Sequence, residues 1–189
     1  EIMPSLVGSE MCIRDSCKAV LCNTAVTIKA VVVVCRRIFV IISSAVKILN
    51  TTPPSRIGWC HGNYSHHNII LTSDSPATIH FERFYHGYPI LDVYYFLKKV
   101  LEKNNYNFAF CETFLSNYDR FMPLSKDDLL CLYGLFLFPE KFWKISNQYM
   151  AHKKHWISPR YIEKLEEFVH KKDLRSIFLE KYLQIYNVF

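Results

Sequence analysis

The chain of 189 residues has no Cys-x-x-Cys pair, although it contains seven cysteines. Their number is odd, and the carboxy-terminal ones lie in apolar surroundings, so the spacing meets no structural zinc pattern and indicates no disulfide framework. The arrangement is typical of buried free thiols in the reducing cytosol. We therefore expect a cytoplasmic protein whose cysteines are packing residues.

The sequence also lacks a dense tract of lysine and arginine, and its net charge is only +6. Basic residues this dispersed indicate at most a weak preference for anionic partners. Neither a zinc-finger spacing nor an aromatic RNA-binding signature is present. We therefore expect no nucleic-acid partner.

Long apolar runs are missing as well. Val31–Val34 and Ile38–Ile42 are apolar and mostly β-branched, but Arg36 and Arg37 lie between them. A membrane span needs ~20 apolar residues, and a charged residue at its centre costs about 2.5 to 3.5 kcal/mol. We therefore expect no membrane association and favour a buried strand or helix, with a frame-shifted or chimeric read as a further alternative.

Three segments divide the chain. Residues 1–16 fit no element and look like a translated adapter sequence, so we interpret them as a non-native leader. Residues 17–56 hold the apolar runs and then a linker, because Pro53 and Pro54 remove amide donors and restrict the backbone. Residues 57–189 form the folded lobe.

One stretch of this lobe combines polar residues with short apolar runs. A polar loop from His61 enters a strand at Ile69–Leu71, which is followed by a turn at Ser73–Pro76 and a second short strand within Thr78–Glu82. The β-branched and aliphatic residues and the Asp/Ser/Pro cluster predict a hairpin. Polar groups lie at both of its ends, where functional residues are often found.

The spacing of this stretch resembles the aminoglycoside-phosphotransferase group of the protein-kinase-like fold. That group has His-Gly-Asp, four residues, Asn, a hairpin and then Ile-Asp-Phe-Glu/Asp; His61, Gly62, Asn68, Phe81 and Glu82 match it. In the group, the first Asp accepts the proton of the substrate hydroxyl, while the Asn and the second Asp hold the Mg²⁺ that bridges the nucleotide phosphates. The resemblance thus implies Mg-ATP as cofactor.

Two departures fall on the reactive positions. Asn63 occupies the place of the proton-accepting Asp, and His80 occupies the place of the metal-binding Asp. An amide has no useful basicity, and loss of general-base help typically costs about 10²- to 10⁴-fold in rate. Mg²⁺ prefers oxygen ligands to an imidazole. We therefore predict impaired phosphoryl transfer.

The resemblance also assigns the remaining site residues. It makes His61 a brace of the loop and Asp92 a support that accepts loop amides from the next helix. The impaired Mg²⁺ site would comprise Asn68, His80 and Glu82, and the alternative is that Glu82 supplies the missing carboxylate without restoring the base.

Cysteine and histidine side chains near the loop allow one further interpretation. A zinc site can be drawn from Cys60, His61, His66, His67 and His80. We disfavour it because adjacent pairs rarely converge on one ion, and we expect His66 and His67 to be exposed loop residues.

Two later segments resemble one branch of the group, the CotS-type spore coat proteins of endospore-forming bacteria. They are Phe138–Ile145 and Lys153–Ile157, and the whole resemblance covers roughly residues 58 to 189. It implies a place in the spore coat and other coat proteins as partners. Trp156 is the aromatic residue that we single out as a candidate contact.

Helical periodicity follows the hairpin. We predict inward stripes on successive helices, with caps at Ser125 and Ser158 and with Pro139 in a first turn. We expect the first helix to end at Asn104–Asn105 and the helix that starts at Ser125 to be central, because it is apolar on nearly every side. The stripes are Val93, Phe96, Leu97, Val100 and Leu101; Phe110, Phe114, Leu115 and Tyr118 within 108–121; Leu129, Leu130, Leu132, Tyr133, Phe136 and Leu137; Phe142, Ile145 and Tyr149; Ile162, Leu165, Phe168 and Val169; and Leu174, Ile177, Phe178, Tyr182 and Ile185. The predicted fold is α+β but mostly α: a protein-kinase-like carboxy-terminal lobe with a small β-hairpin and about six helices.

A Gly-rich phosphate loop and a strand carrying a phosphate-binding Lys are not found ahead of His61. We therefore interpret the chain as a carboxy-terminal fragment of such a fold. Our first hypothesis is a degenerate, pseudokinase-like coat protein with a structural or binding role. The alternative is an active phosphotransferase acting on a hydroxyl of an aminoglycoside, sugar or choline-like substrate.

Overall fold

The computed structural model describes residues 28–144, residue 163 and residues 172–188. The leader at 1–16, the Lys153–Ile157 segment, Ile145, Tyr149, and the helix predicted from Ser158 therefore lie outside the described residues. The chain divides into two compact units: Glu1–Thr51 with Leu137–Asp173, and Thr52–Phe136 with Leu174–Phe189.

Helix α1 of the first unit spans Ile28–Thr51. Ile42 and Ala45 on this helix pack with Phe138 and Phe142 in a buried cluster. The helix ends two residues before Pro53, as the restricted backbone ahead of a proline requires. Of the strand and the helix considered for the apolar segment, the structure has the helix over residues 28–51. None of the described helices is both long and apolar enough to cross a membrane.

Four short strands belong to the second unit. They are β1 (Gly58–Cys60), β2 (Ile69–Leu71), β3 (Pro76–Thr78) and β4 (Tyr85–Gly87). β1 pairs antiparallel with β4, with Trp59 opposite His86, and β2 pairs antiparallel with β3, with Ile69 opposite Thr78. The predicted hairpin is confirmed. Pro76, however, lies in β3 and not in the turn, because Thr72 already closes the turn by accepting the amide of Ser75 at 3.2 Å.

Four further helices follow with defined bounds. They are α2 (Ile90–Lys103), α3 (Phe108–Phe121), α4 (Lys126–Leu137) and α5 (Lys172–Tyr186), and residues 140–144 are also helical. The predicted end of α2 is confirmed: the Asn104 side chain donates to the Val100 carbonyl at 2.8 Å. The predicted cap of α4 is confirmed too, since Ser125 Oγ accepts the amide of Asp128 at 3.1 Å.

Helix α4 lies at the centre of the second unit, as its nearly uniform apolar sequence predicted. Its residues from Cys131 to Phe136 are buried. The Phe136 ring contacts Phe178 and Tyr182 of α5, at centroid distances of 5.4 and 6.0 Å. Burying a large apolar side chain stabilises a fold by about 1.5 to 3 kcal/mol, so this aromatic cluster is a main source of stability.

The predicted inward stripes of α3 and α5 are wrong in part. Phe110 is 45% exposed and Ile177 is 60% exposed, and Leu174 and Ile185 are exposed as well. The buried residues of these helices are Phe108, Cys111 and Leu115, and Phe178 and Tyr182. Both helices carry apolar residues on more than one face, so periodicity alone does not identify the face that meets the core.

Three of the cysteines lie within the part of the chain whose side chains are described. Cys60, Cys111 and Cys131 are buried and free, as predicted. Burial raises the pKa of the Cys111 and Cys131 thiols to about 12, so both stay protonated and act as small apolar residues.

Candidate functional site

Asp92, in the first turn of α2, holds the start of the polar loop. Its Oδ2 accepts the His61 amide at 2.6 Å and its Oδ1 accepts the Gly62 amide at 3.0 Å. Hydrogen bonds to an ionised group are the stronger kind, and two of them on adjacent amides fix both position and orientation. Helix α2 therefore positions the loop through one carboxylate.

His61 connects this loop to the segment that follows the hairpin. The ring is buried, its Nε2 lies 2.9 Å from the Ile79 carbonyl, and its Nδ1 accepts the Asn63 amide at 3.2 Å. A carbonyl can only accept, so the proton is on Nε2. Because both ring nitrogens are engaged with the backbone, neither is available to take a substrate proton.

Gly62 has a backbone that only glycine adopts without strain. Its φ is +75°, and a Cβ at this position would overlap the carbonyl oxygen of Arg83. The close approach lets the loop pack against the residues after the hairpin. The glycine is therefore a steric requirement of the site.

Asn68 closes the other end of the loop. The side chain is buried, and its Nδ2 donates to the Asn63 carbonyl at 2.9 Å. Its own carbonyl accepts the Ile79 amide at 3.0 Å. No residue that the structure describes donates to its Oδ1, so this amide oxygen could serve as a ligand.

The positions that carry acids in the resembling group are exposed. Asn63 is exposed, and its side chain hydrogen-bonds to none of the described residues. His80 has a φ of +65°, and its Nδ1 lies 2.9 Å from Oε1 of Glu82. This hydrogen bond from His80 lowers the pKa of Glu82, so the carboxylate is ionised and already has a partner.

His66 and His67 lie at the loop surface, with His67 exposed and His66 partly so. Their rings are 3.9 Å apart, and His66 Nε2 is 2.8 Å from Lys103 Nζ. Partial desolvation, followed by the charges of His67, Lys103 and Lys99, lowers the pKa of His66. The neutral ring therefore accepts a hydrogen bond from the lysine.

Sequence reasoning missed one residue that positions the site. Asp128 is buried in the first turn of α4 and accepts the amide of Ser55 at 3.0 Å and its hydroxyl at 2.7 Å. This contact anchors the segment that leads into β1 and the loop. Ser55 and Asp128 are 73 residues apart, so their pairing is not visible in the sequence.

In the resembling group the metal would lie at the positions of Asn68, His80 and Glu82, which we call the metal corner. The residues there do not fit a Mg-nucleotide site. The possible donors are the Asn68 amide oxygen, the His80 imidazole and the Glu82 carboxylate, and the last two are bonded to each other. Mg²⁺ requires near-octahedral oxygen ligands, most often with one or two carboxylates. Within the described ranges, no group of three or more His, Cys, Asp or Glu side chains could hold a metal ion.

A comparison with solved structures shows the fold, which joins a loop held by the next helix, an antiparallel hairpin and a mainly helical body. The chain is similar to the crystal structure of the aminoglycoside phosphotransferase from Alicyclobacillus acidocaldarius subsp. acidocaldarius DSM 446, with a TM-score of 0.76 and 16% sequence identity. The predicted fold class is thereby confirmed.

The likeness to that enzyme is one of fold alone at this identity. It covers 100% of this chain and 59% of the neighbour, so the chain spans less than two thirds of that protein's length. No family model matches the sequence, and no curated protein matches it. What the chain does must therefore be argued from its own residues.

Proposed function

We propose that this kinase-like fold transfers no phosphate and serves as a structural or binding component. The observation that carries the proposal is the contrast between the residues that hold the loop and the two reactive positions. The backbone of His61 and Gly62 is held on Asp92. The two positions that would carry reactive acids hold Asn63 and His80, both exposed.

Proton acceptance is the first function that the site lacks. The amide of Asn63 cannot take a proton near neutral pH, and the absent base is worth about 10²- to 10⁴-fold in rate. His61 cannot replace it, because Nε2–H donates to Ile79 and Nδ1 accepts from Asn63. No neighbouring group on the loop therefore compensates.

Charge at the metal corner is the second missing element. His80 and Glu82 form a hydrogen-bonded pair, so the carboxylate of Glu82 is already engaged by an imidazole. A dication held against a triphosphate needs surplus negative charge from the protein. The proposed consequence is weak or absent binding of Mg-ATP.

An active small-molecule phosphotransferase is the second candidate, and Asn68 is the residue that favours it. The Oδ1 of its buried side chain accepts no hydrogen bond from the described residues, and Glu82 supplies a carboxylate. For this candidate, Glu82 would have to leave His80 and bind the ion. Substrates would be hydroxyl compounds such as aminoglycosides, sugars or choline-like molecules.

The activity test compares the wild-type chain with an Asn63→Asp/His80→Asp double variant. Binding of Mn²⁺ and of Mg-ATP is measured by calorimetry, and transfer to a panel of hydroxyl acceptors is followed by ³¹P NMR. We expect no transfer by the wild type and a gain of Mn²⁺ binding in the double variant. An Asp74→Asn variant, changed at the exposed hairpin turn, is the control. Phosphorylated acceptor from the wild type would refute the proposal.

The proposed location is the spore coat, and it is supported by the resemblance of Phe138–Ile145 to CotS-type proteins. In the structure, Phe138 and Phe142 of this segment are core residues packed on α1. They support the fold of the segment, while the proposed partners, other coat proteins, would contact other residues. A fluorescent fusion expressed in a sporulating host tests the location: a ring around the forespore is expected, and diffuse mother-cell fluorescence would contradict it.

A further inference from the structure

A wide groove runs along helices α2 and α3 in the second unit. Its volume is about 740 Å³, and its walls are almost entirely apolar. Phe96 and Phe114 stack across it with centroids 5.2 Å apart. A volume between about 300 and 1,000 Å³ with apolar walls is typical of small-molecule sites.

Aromatic side chains along the groove are left exposed. Phe110 is 45% exposed and Phe121 is 86% exposed, although both lie on the same helix. A cluster of exposed apolar rings in one concave place indicates a binding site better than single exposed residues do. The reason is that removing the cluster from water lowers the free energy when a ligand covers it. The groove therefore favours an apolar occupant.

A cationic edge borders the same groove. Lys99 and Lys103 are three residues beyond Phe96 and Val100, respectively, so all four lie on one face of α2. Lys103 Nζ reaches His66 Nε2 at 2.8 Å, and Lys99 also lies close enough to His66 to act on its charge.

Among the residues that the structure describes, no acid forms an ion pair with Lys99 or Lys103. Glu102 of α2 lies near Arg175, whose charge it favours. The end of α2 does not require Lys103 either, because Asn104 already donates to the carbonyls of Val100 and Leu101. Two ammonium groups beside the neutral His66 ring leave a local excess of positive charge.

We infer that this groove binds a small amphipathic anion. Its apolar chain or ring would lie between α2 and α3, and its phosphate or carboxylate head would lie at Lys99 and Lys103. The two halves of the site match the two halves of such a ligand, since the groove walls contain no charged side chain and the edge is cationic. The inference does not depend on whether the loop is catalytic.

The first experiment measures separately how much the anionic head and the apolar tail of a ligand contribute to its affinity. Octyl phosphate is compared with octyl glucoside, which has the same tail and a neutral head, and with inorganic phosphate, which is the head alone. Calorimetry below the aggregation concentration should show octyl phosphate binding at least about tenfold more tightly than either. Equal affinity for octyl glucoside or for inorganic phosphate would overturn the inference.

Matched variants test the two halves of the site. The Lys99→Gln/Lys103→Gln variant should bind octyl phosphate about fivefold more weakly or worse, whereas the charge-matched Lys98→Gln/Lys126→Gln variant should keep the wild-type affinity. Lys98 lies over the Tyr94 ring, 5.7 Å from its centroid, on another face of α2. Phe110→Ser should weaken binding similarly, while Ile177→Ser on α5 should leave it unchanged. If a test variant and its control lost affinity for octyl phosphate equally, in either pair, the inference would be overturned.

A lipid surface presents the same chemistry as a free amphipathic anion. Sedimentation with phosphatidylglycerol vesicles distinguishes the two sources. We expect the protein to stay in the supernatant and to bind monomeric octyl phosphate. Vesicle binding without binding of the monomer would overturn the inference in favour of a membrane surface.

Discussion

Two groups of residues at the site, a supporting part and the reactive positions, differ in how they are held. In the supporting part, Asp92, His61 and Asn68 each make hydrogen bonds to backbone groups, and both His61 and Asn68 are buried. The reactive positions, Asn63 and His80, are exposed. Buried polar groups must be paired for the chain to fold, whereas exposed ones tolerate exchange at little cost. The hydrogen bonds that hold the loop therefore indicate a stable fold, and they are no evidence of phosphoryl transfer.

The largest effect that tests this comparison is expected at Gly62. Gly62→Ala should lower the free energy of unfolding by about 3 kcal/mol or more, because the φ of +75° is strained for alanine and the Cβ meets the Arg83 carbonyl. Urea denaturation measures the change. Gly58→Ala is the matched control, since there the Cβ would meet only Pro89 Cγ at an ordinary 3.4 Å. Equal stability of the two variants would show that the loop does not need this close approach.

Asp92 should give the next effect. Asp92→Asn keeps the shape but places an NH₂ group against one of the two backbone amides, so we expect a loss of about 2 to 3 kcal/mol. Asp74→Asn, in the exposed hairpin turn, should leave the free energy of unfolding unchanged. A loss no larger than that of the control would mean that α2 does not hold the loop.

The buried carboxylate of Asp128, which anchors the segment before the loop, makes the stability of the fold depend on pH. Burial acts to raise the pKa of its carboxyl, but the hydrogen bonds from Ser125 and Ser55 outweigh burial and lower it below 3.8. The stability that this carboxylate contributes is therefore present above about pH 4 and is lost as the pH falls through the lowered pKa.

Unfolding measured between about pH 5 and pH 2 tests this pH dependence. Asp128→Asn should start less stable at pH 5 and fall less steeply with acid than the wild type. The exposed neighbour serves as control, because Asp127→Asn should keep the wild-type slope. Parallel curves for wild type and Asp128→Asn would contradict the role of this anchor.

The smallest effects compare two asparagines in the same loop. Asn68→Ala should cost about 1 kcal/mol, because the Asn63 carbonyl loses its donor. Asn63→Ala should change the free energy of unfolding by less than about 0.5 kcal/mol, since its side chain is exposed. Thermal denaturation of the two single variants measures the difference. The opposite order would place Asn63 within the supporting part of the loop.

Much of the helical scaffold was predictable from local signals. The bounds 108–121 follow from periodicity, the start of α4 follows from Ser125, and the end of α2 follows from Asn104. The hairpin follows from two apolar runs around a polar turn. These features depend on capping, turn and propensity effects within a few residues, which a sequence displays directly.

Other features were not predictable because they depend on distant parts of the chain. Ser55 and Asp128 are 73 residues apart, and their pairing is not visible in either local sequence. The exposure of Phe110, Leu174, Ile177 and Ile185 depends on which neighbours cover α3 and α5. The groove arises in the same way, since its two walls come from different helices.

Local sequence was enough to predict helices α2 to α5, the hairpin and the replacement of acids at positions 63 and 80, because these are properties of neighbouring residues. It could not show that both nitrogens of His61 are occupied, that Glu82 is paired with His80, or that lysines border an apolar groove. The reason is physical: the protonation and availability of a side chain depend on the atoms that folding brings within a few ångströms of it, and most of these come from elsewhere in the chain.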